Sequence, residues 1–171
     1  MLETHLSARI LASDRPEPDK VRPLALGNFH RRQSSKAVER TFQARTAAGL
    51  SPVEFSLRGG GGPECMHKAV LVDLDARPGA CKLSLDSSNA YNEFDRHEAS
   101  SAIQEAIPDM LPWVVAPLST VVTHLHIGRD GKETKVMKTR GGDQGDAITA
   151  LTFPLTYRVV KHGSTASNYG R

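Results

Sequence analysis

The first helix signal along the chain lies between Asn28, a plausible N-cap, and Gly49, a plausible stop. Between them, polar and apolar residues recur at helical spacing. Ala37, Val38 and Phe42 are predicted to pack inward, so this helix should bury one face against the rest of the protein.

Three further helices are predicted from capping residues and apolar stripes. Pro marks the first turn of one, an Asp–Glu capping box opens the next, and an internal Pro kinks the last. They run from Pro63 to about Asp75, from Asp95 to Pro108, and from Asp146 to about His162, with a short helical segment around 110–116.

Alternation of polar and apolar residues predicts five strands. Cys81 to Asp86 alternates most regularly, and Asp86 falls at the end of this predicted strand on its polar face. The others are Val21–Leu26, Val53–Leu57, Thr120–Ile127 and Lys132–Lys138, the last two joined by an Asp130–Gly131 turn. The fold class is therefore predicted as α+β, with a mixed, mostly antiparallel sheet packed on helices.

Charge is distributed unevenly over the 171 residues, although the net charge is only +3. Residues 20–45 carry a net charge of +6 and residues 129–140 a net charge of +3, while residues 54–109 between them carry −5. Two basic zones around an acidic centre suit a site that holds a polyanion and metal ions. An ordinary patchy surface is the alternative interpretation.

Cysteine spacing and hydropathy argue against a zinc or redox site, a membrane span and secretion. Cys65 and Cys81 match no zinc or redox spacing, and both are predicted to be reduced, buried thiols. Pro112 and Pro117 interrupt the longest apolar run, so it should not span a membrane, and no secretory signal pattern opens the chain. We expect an intracellular protein, nuclear or cytoplasmic, that is not secreted.

Two histidines on one predicted strand, His124 and His126, share a face. No third residue has the spacing of a zinc ligand. Both are interpreted as surface or nucleic-acid-facing residues.

Four short segments carry distinctive residues in a fixed order. They read RPLALG at 22–27 followed by two arginines and a lysine, GGPECMH at 61–67, LDSSNAYN at 85–92, and RGGDQGD at 140–146. In that order they resemble the "RPIA-G…RR…K" and "GGAE…H" blocks and the A and B motifs ("LDxSNAFN", "RGxxQGDP") of reverse transcriptases of non-LTR retrotransposons. Ala147 stands where the family usually has proline.

The resemblance implies that Asp86 is the first metal-binding carboxylate of a polymerase site. Two Mg²⁺ ions serve nucleotide transfer, and Mg²⁺ prefers oxygen ligands. The main-chain carbonyl of Ser87 would be a second oxygen ligand. Mg²⁺ is the expected cofactor, with Mn²⁺ as an alternative; a solvated Asp at a strand end is the other interpretation of Asp86.

The resemblance also implies residues that bind the nucleotide. Arg22 would hold the triphosphate with help from Lys20, although an exposed strand arginine explains Arg22 equally well. Tyr91 would lie beneath the sugar, or else pack as a core aromatic. Gln144 and Gly145 would lie near the templating base, or else form a plain helix-entry loop.

Basic residues on the first predicted helix are the expected contacts to template and primer. Arg32, Lys36 and Arg40 recur every four residues and share a face. Together with Arg31 they are predicted to bind nucleic-acid phosphates without reading sequence. A solvated helix face is the competing interpretation.

The family's third catalytic motif, aromatic-x-Asp-Asp, is absent from the 171 residues. We therefore expect a flexible lead-in over residues 1–19, a fingers-like region over 20–80, and a partial palm over 81–171 that is truncated before that motif. In the full-length protein such a domain would copy an RNA template onto a DNA primer from dNTPs. The isolated chain is expected to be inactive.

Two alternatives remain open at this point. The chain could be a non-catalytic nucleic-acid-binding remnant of a retroelement, which predicts salt-sensitive RNA binding without metal dependence. It could also be an inert product that folds poorly, because a truncated palm would expose sheet edges. The sequence does not indicate the oligomeric state or whether an endonuclease domain exists elsewhere.

Overall fold

The computed structural model describes residues 5–14, 21–52, 54–57, 60–84 and 86–166. A 3₁₀ turn at Pro108–Met110 joins two of the helices. In chain order the elements are β1 (Ala8–Asp14), β2 (Val21–Gly27), α1 (Phe29–Leu50), α2 (Gly62–Ala76), α3 (Ala90–Glu93), α4 (Arg96–Ala106), α5 (Leu111–Ser119), β3 (Val122–Ile127), β4 (Glu133–Lys138) and α6 (Ala147–Ala166). The fold is α+β, as predicted.

The four strands form one mixed sheet in the order β2-β1-β3-β4. β1 pairs antiparallel with β2 and parallel with β3, and β3 and β4 form an antiparallel hairpin. The predicted strands at Val21–Leu26, Thr120–Ile127 and Lys132–Lys138 are confirmed with small shifts at their ends. The sheet combines β1 and β2, which precede residue 80, with β3 and β4, which follow it. The division at residue 80 into a fingers-like region and a partial palm stays a prediction.

Strand β1 corrects the expectation of a flexible lead-in. Residues 8–14 lie in the middle of the sheet, between β2 and β3. Their alternation is weak because small and charged residues dilute it. Hydrogen bonds from two neighbouring strands supply the order that the local pattern does not indicate.

Two of the predicted strands are absent from the residues that the structure describes. Residues 54–57 contain a turn instead, and Val53 lies outside the described residues. Residues 81–84 have no regular structure, and the side chain of Leu83 is 79% exposed. An alternating pattern gives a strand only when a neighbour accepts its hydrogen bonds, and no described strand pairs with 81–84. Cys65 and Cys81 are both exposed, so their predicted burial is wrong.

The core lies between α1, α4, α5 and α6, whose apolar faces meet. Val38 and Phe42 are buried as predicted, whereas Ala37 is exposed. Asn28 caps α1 by accepting a hydrogen bond from the Arg31 main-chain N–H. Asp95 caps α4 by accepting hydrogen bonds from the main-chain N–H groups of His97 and Glu98. Fully or nearly fully buried members include Leu50, Ala99, Ile103, Met110, Val114, Leu151 and Leu155.

Helix α2 lies outside this core. Gly62 is its only buried residue, and Met66, Leu71 and Val72 are each about half exposed or more. The helix itself matches the prediction that Pro63 opens it. Among the helices that the structure describes, none is both long enough and apolar enough to cross a bilayer.

Candidate nucleotide and nucleic-acid site

The loop between β4 and α6, residues 140–146, carries the motif that resembles the polymerase B block. Its main chain is tied to two other motif segments. Gly141 N–H donates to the Phe94 carbonyl over 2.9 Å, and Gly142 N–H donates to the Tyr91 carbonyl over 2.7 Å. On the other side, Ala25 N–H of β2 donates to the Gln144 carbonyl over 3.1 Å.

Glycine is required where this loop meets α3. Gly141 has φ +57°, and a Cβ atom there would lie 2.2 Å from the Asn92 carbonyl carbon. At Gly142 a Cβ atom would lie 2.3 Å from the Thr149 hydroxyl oxygen. A side chain at Gly141 would push the loop away from α3, and one at Gly142 would press on Thr149 in α6, so the Gly-Gly pair sets how closely the loop approaches both helices.

A buried ion-pair cluster holds the loop from the other side. Asp143 accepts hydrogen bonds from Arg31 Nη2 over 2.5 Å and from His124 Nε2 over 2.9 Å, and it also pairs with the Lys138 ammonium. Arg31 donates in addition to Asp146 Oδ2, from Nε over 3.0 Å and from Nη2 over 2.6 Å. We call these five residues the Asp143 cluster; it joins α1, β3, β4 and the start of α6.

Burial and charge act in opposite directions on Asp143. Burial alone would raise the pKa of its carboxyl group, but the hydrogen bond from His124 and the charges of Lys138 and Arg31 lower that pKa well below its ordinary value. At Lys138 burial is the stronger influence and lowers the pKa of the ammonium despite the attraction of Asp143. Asp143 is therefore a carboxylate around neutral pH, and it pairs with both Arg31 and Lys138.

The tautomer of His124 follows from its two neighbours. The Ala8 main-chain N–H of β1 donates to His124 Nδ1 over 3.0 Å, so Nδ1 carries no proton. Nε2 must then carry the proton that is donated to Asp143. The imidazole thus links the first strand of the sheet to the B-motif loop.

Two predicted site residues are placed differently from expectation. Arg31 was expected to bind nucleic-acid phosphates, but it is 7% exposed and its guanidinium binds Asp143, Asp146 and the Leu6 carbonyl. His124, expected at the surface, is 3% exposed. The reason in both cases is a carboxylate distant in sequence. No local spacing reveals the role of Asp143, so the sequence alone does not predict it.

The structure brings some of the predicted nucleotide-binding residues together. The Tyr91 carbonyl accepts a hydrogen bond from Gly142, and the Tyr91 ring packs edge-to-face on Phe153 at 4.9 Å between centroids, with the residue as a whole 37% exposed. Gln144 reaches β2 through the Ala25 bond. Arg22 lies on β2, where its main chain pairs with β1, but its side chain lies outside the described residues, as does all of Lys20.

Asp86 and Ser87 take no part in the hydrogen bonds that hold this arrangement together. Both are exposed, in an irregular segment that precedes α3. Among the described residues, Asp86 has no hydrogen-bond or ion-pair partner, and no three His, Cys, Asp or Glu side chains are grouped to hold a metal ion. The donors available there are the Asp86 carboxylate and the Ser87 carbonyl, which fit one edge of a hydrated Mg²⁺ but do not enclose it.

The predicted phosphate-binding face of α1 is accessible. Arg32, Lys36 and Arg40 are all exposed, on the side of the helix opposite Val38 and Phe42. Arg32 and Lys36 also line a groove of about 100 Å³ whose other wall includes Gly145. This groove places the two cations beside the B-motif loop.

No protein-family model matches the chain, and no curated protein is significantly similar to it. The family resemblance therefore rests on the four motif segments of the sequence.

Proposed function

We propose that the chain is a domain of an RNA-directed DNA polymerase of the non-LTR retrotransposon type, comprising parts of the fingers and palm. The supporting observation is the set of main-chain bonds at the B-motif loop. Through them Ala25 of the first motif, Tyr91 of the A motif and Gln144 of the B motif meet at one place, although about 120 residues of sequence separate the first from the last. A polymerase site requires these three segments together.

The reaction is attack of a primer 3′-hydroxyl on the α-phosphate of a dNTP, with pyrophosphate as the leaving group. Bound Mg²⁺, or Mn²⁺ in its place, would supply activation of that hydroxyl and neutralise charge on the phosphates. Asp86 and Ser87 are the ligands that this chain contributes, and Arg22 with Lys20 bind the triphosphate. Tyr91 packs against the sugar, while Gln144 and Gly145 border the template side.

The positions of Tyr91 and Gly145 suit these roles. Phe153 supports one edge of the Tyr91 ring while more than a third of that residue remains open to a ligand. Gly145 has φ +105° and no side chain, so the main chain beside Gln144 can approach a nucleotide closely.

The test is binding rather than turnover, because the 171 residues hold no aromatic-x-Asp-Asp motif and should not extend a primer alone. A fluorescent dNTP is titrated with the protein, an RNA–DNA template–primer and Mg²⁺, and its anisotropy is measured. We expect a dNTP that matches the templating base to bind more tightly than a mismatched one. EDTA and Asp86→Asn should both abolish the difference.

Asp75→Asn is the matched control, since Asp75 is an exposed acid on α2 with no predicted ligand role. It should retain the preference for the matched dNTP. Equal binding of matched and mismatched dNTPs, or wild-type behaviour of Asp86→Asn, would overturn the polymerase proposal.

A second candidate function is a nucleic-acid-binding domain without catalysis. It is favoured by the contrast between the exposed basic face of α1 and Asp86, which lies on an irregular segment instead of the predicted strand. It predicts RNA affinity that falls steeply with salt and is unaffected by EDTA. Replacing Arg32, Lys36 and Arg40 with Gln should reduce the slope of log K against log salt by about one per cation removed.

A further inference from the structure

A cavity of about 440 Å³ lies on one face of the sheet. Strand register explains its floor: Ile10 lies opposite Ala25, and His124 lies opposite Val136, so all four project to the same side. The facing wall is the segment around α3, with Asn89, Asn92 and Glu93. The cavity thus lies between the sheet and the A-motif segment, next to the Asp143 cluster.

The facing wall offers unused hydrogen-bonding groups. Among the described residues, the side chains of Asn89, Asn92 and Glu93 have no hydrogen-bond or ion-pair partner. Each amide has both donors and acceptors, and the carboxylate is an acceptor. A ligand in the cavity would meet the aliphatic side chains of Ile10, Ala25 and Val136 on its floor and a polar edge on its wall.

Charge decides between possible ligands. Lys138 and Arg140 line the cavity, but so do Glu93 and Asp143, and His124 is neutral by its hydrogen bonds. Lys138 already pairs with Asp143. The lining is balanced in charge, so it does not attract a highly anionic triphosphate. It suits a flat neutral group with a single phosphate near Arg140.

We propose that this cavity binds one unpaired base of a single-stranded nucleic acid, with Arg140 contacting the adjacent phosphate. A nucleobase has apolar faces that pack on aliphatic side chains and an edge that amides and carboxylates hydrogen-bond. The cavity volume lies in the usual range for small-ligand sites. The inference rests on the proposed function in that it assigns a strand of the same nucleic-acid substrate to this side of the sheet.

The test compares two eight-nucleotide strands by fluorescence anisotropy, one with adenine at every position and one abasic throughout. Because contacts to a base contribute substantially to the free energy of binding, we expect the adenine strand to bind about tenfold more tightly than the abasic strand. Val136→Trp fills the cavity from its floor and should remove this preference while leaving the abasic strand's affinity unchanged. Val121→Trp, an exposed position outside the cavity, should change neither.

Arg140→Gln supplies a second measurement. It should weaken both strands and reduce the salt slope by about one while preserving the preference for adenine. RNA and DNA versions of the adenine strand show which nucleic acid the cavity prefers. Equal binding of the adenine and abasic strands would overturn the inference, as would an adenine preference that survives Val136→Trp, or displacement of the adenine strand by equimolar dATP.

The outcome is separable from that of the polymerase proposal. Loss of matched-dNTP binding with a retained adenine preference would refute the polymerase function and leave the base site intact. Matched-dNTP binding without an adenine preference would refute the base site and leave the polymerase function intact.

Discussion

The B-motif loop and the segment from Gly62 to Asp86 both carry motif residues, but the fold holds them very differently. The loop is fixed by main-chain bonds on two sides and by the buried Asp143 cluster. In the other segment, α2 buries only its first residue and residues 81–84 form no regular structure. Burial and hydrogen bonding, and not motif resemblance, therefore decide which of these segments the fold holds in place.

The largest expected effect on the free energy of unfolding comes from removing the carboxylate at the centre of the Asp143 cluster. Asp143→Ala leaves the charges of Arg31 and Lys138 buried without their shared partner. Breaking a buried ion pair by removing one partner costs roughly 3–5 kcal/mol. Urea unfolding followed by circular dichroism should show this loss in the free energy of unfolding.

Asp109→Ala is the control for Asp143→Ala. Asp109 pairs with Arg45 at the surface, where solvent screens the interaction, so the free energy of unfolding should hardly change. Similar losses in the two variants would show that the Asp143 cluster does not hold the fold together.

A smaller effect is expected at the junction between the loop and α3. Gly141→Ala forces a side chain onto a positive φ, which costs roughly 1–3 kcal/mol, and it also displaces the Asn92 main chain. The free energy of unfolding should fall, and matched-dNTP binding should weaken because Tyr91 moves away from the loop.

Gly49→Ala is the matched glycine control, since Gly49 lies in α1 with open space around its Cα. Alanine there should stabilise the helix by up to about 1 kcal/mol. A Gly141→Ala variant as stable as Gly49→Ala would mean that the close approach of the loop and α3 is not required.

Local sequence signals predict most of the helices and strands around the B-motif loop, but they do not predict the ion pairs that join these elements. The α1 cap at Asn28 and the turn at Asp130–Gly131 depend on neighbours a few residues away, and the structure confirms both. The Asp143 cluster depends on partners up to 115 residues apart in the chain. Charged residues so far apart leave no periodic pattern in the sequence. The sequence therefore predicts Arg31 only as one more basic residue on a helix face.

The errors in strand prediction have the same origin. Residues 81–86 alternate well but have no described partner strand, while β1 alternates poorly and has two. Strand formation is decided by pairing, which a single sequence does not display. The alternation over 81–86 therefore predicts a rigid strand that ends at Asp86, whereas Asp86 is exposed in an irregular segment; this is the main correction to the predicted site.

The pH dependence of stability should distinguish the two regions further. The folded pKa of Asp143 lies below its ordinary 3.8, so the folded state binds fewer protons than the unfolded state as pH falls through that value. Its contribution is complete above about pH 4 to 5 and is lost below. A single group changes the free energy of unfolding by at most about 1.4 kcal/mol per pH unit.

Urea titrations between pH 6 and pH 3 test this dependence. Asp143→Asn should be less stable than wild type at pH 6, and its stability should fall less steeply toward pH 3. Parallel pH profiles for the two proteins would show that other carboxylates account for acid unfolding.

The smallest effect on stability is expected at Asp86, in the loosely held segment. Its side chain is exposed and has no partner among the described residues, so Asp86→Ala should change the free energy of unfolding by no more than about 0.5 kcal/mol. The same variant should nevertheless lose matched-dNTP binding, because the proposed role of Asp86 is met only when Mg²⁺ and nucleotide are present. A destabilised Asp86→Ala would instead make this carboxylate part of the folded framework, and the division between a rigid B-motif loop and a ligand-dependent A-motif aspartate would fail.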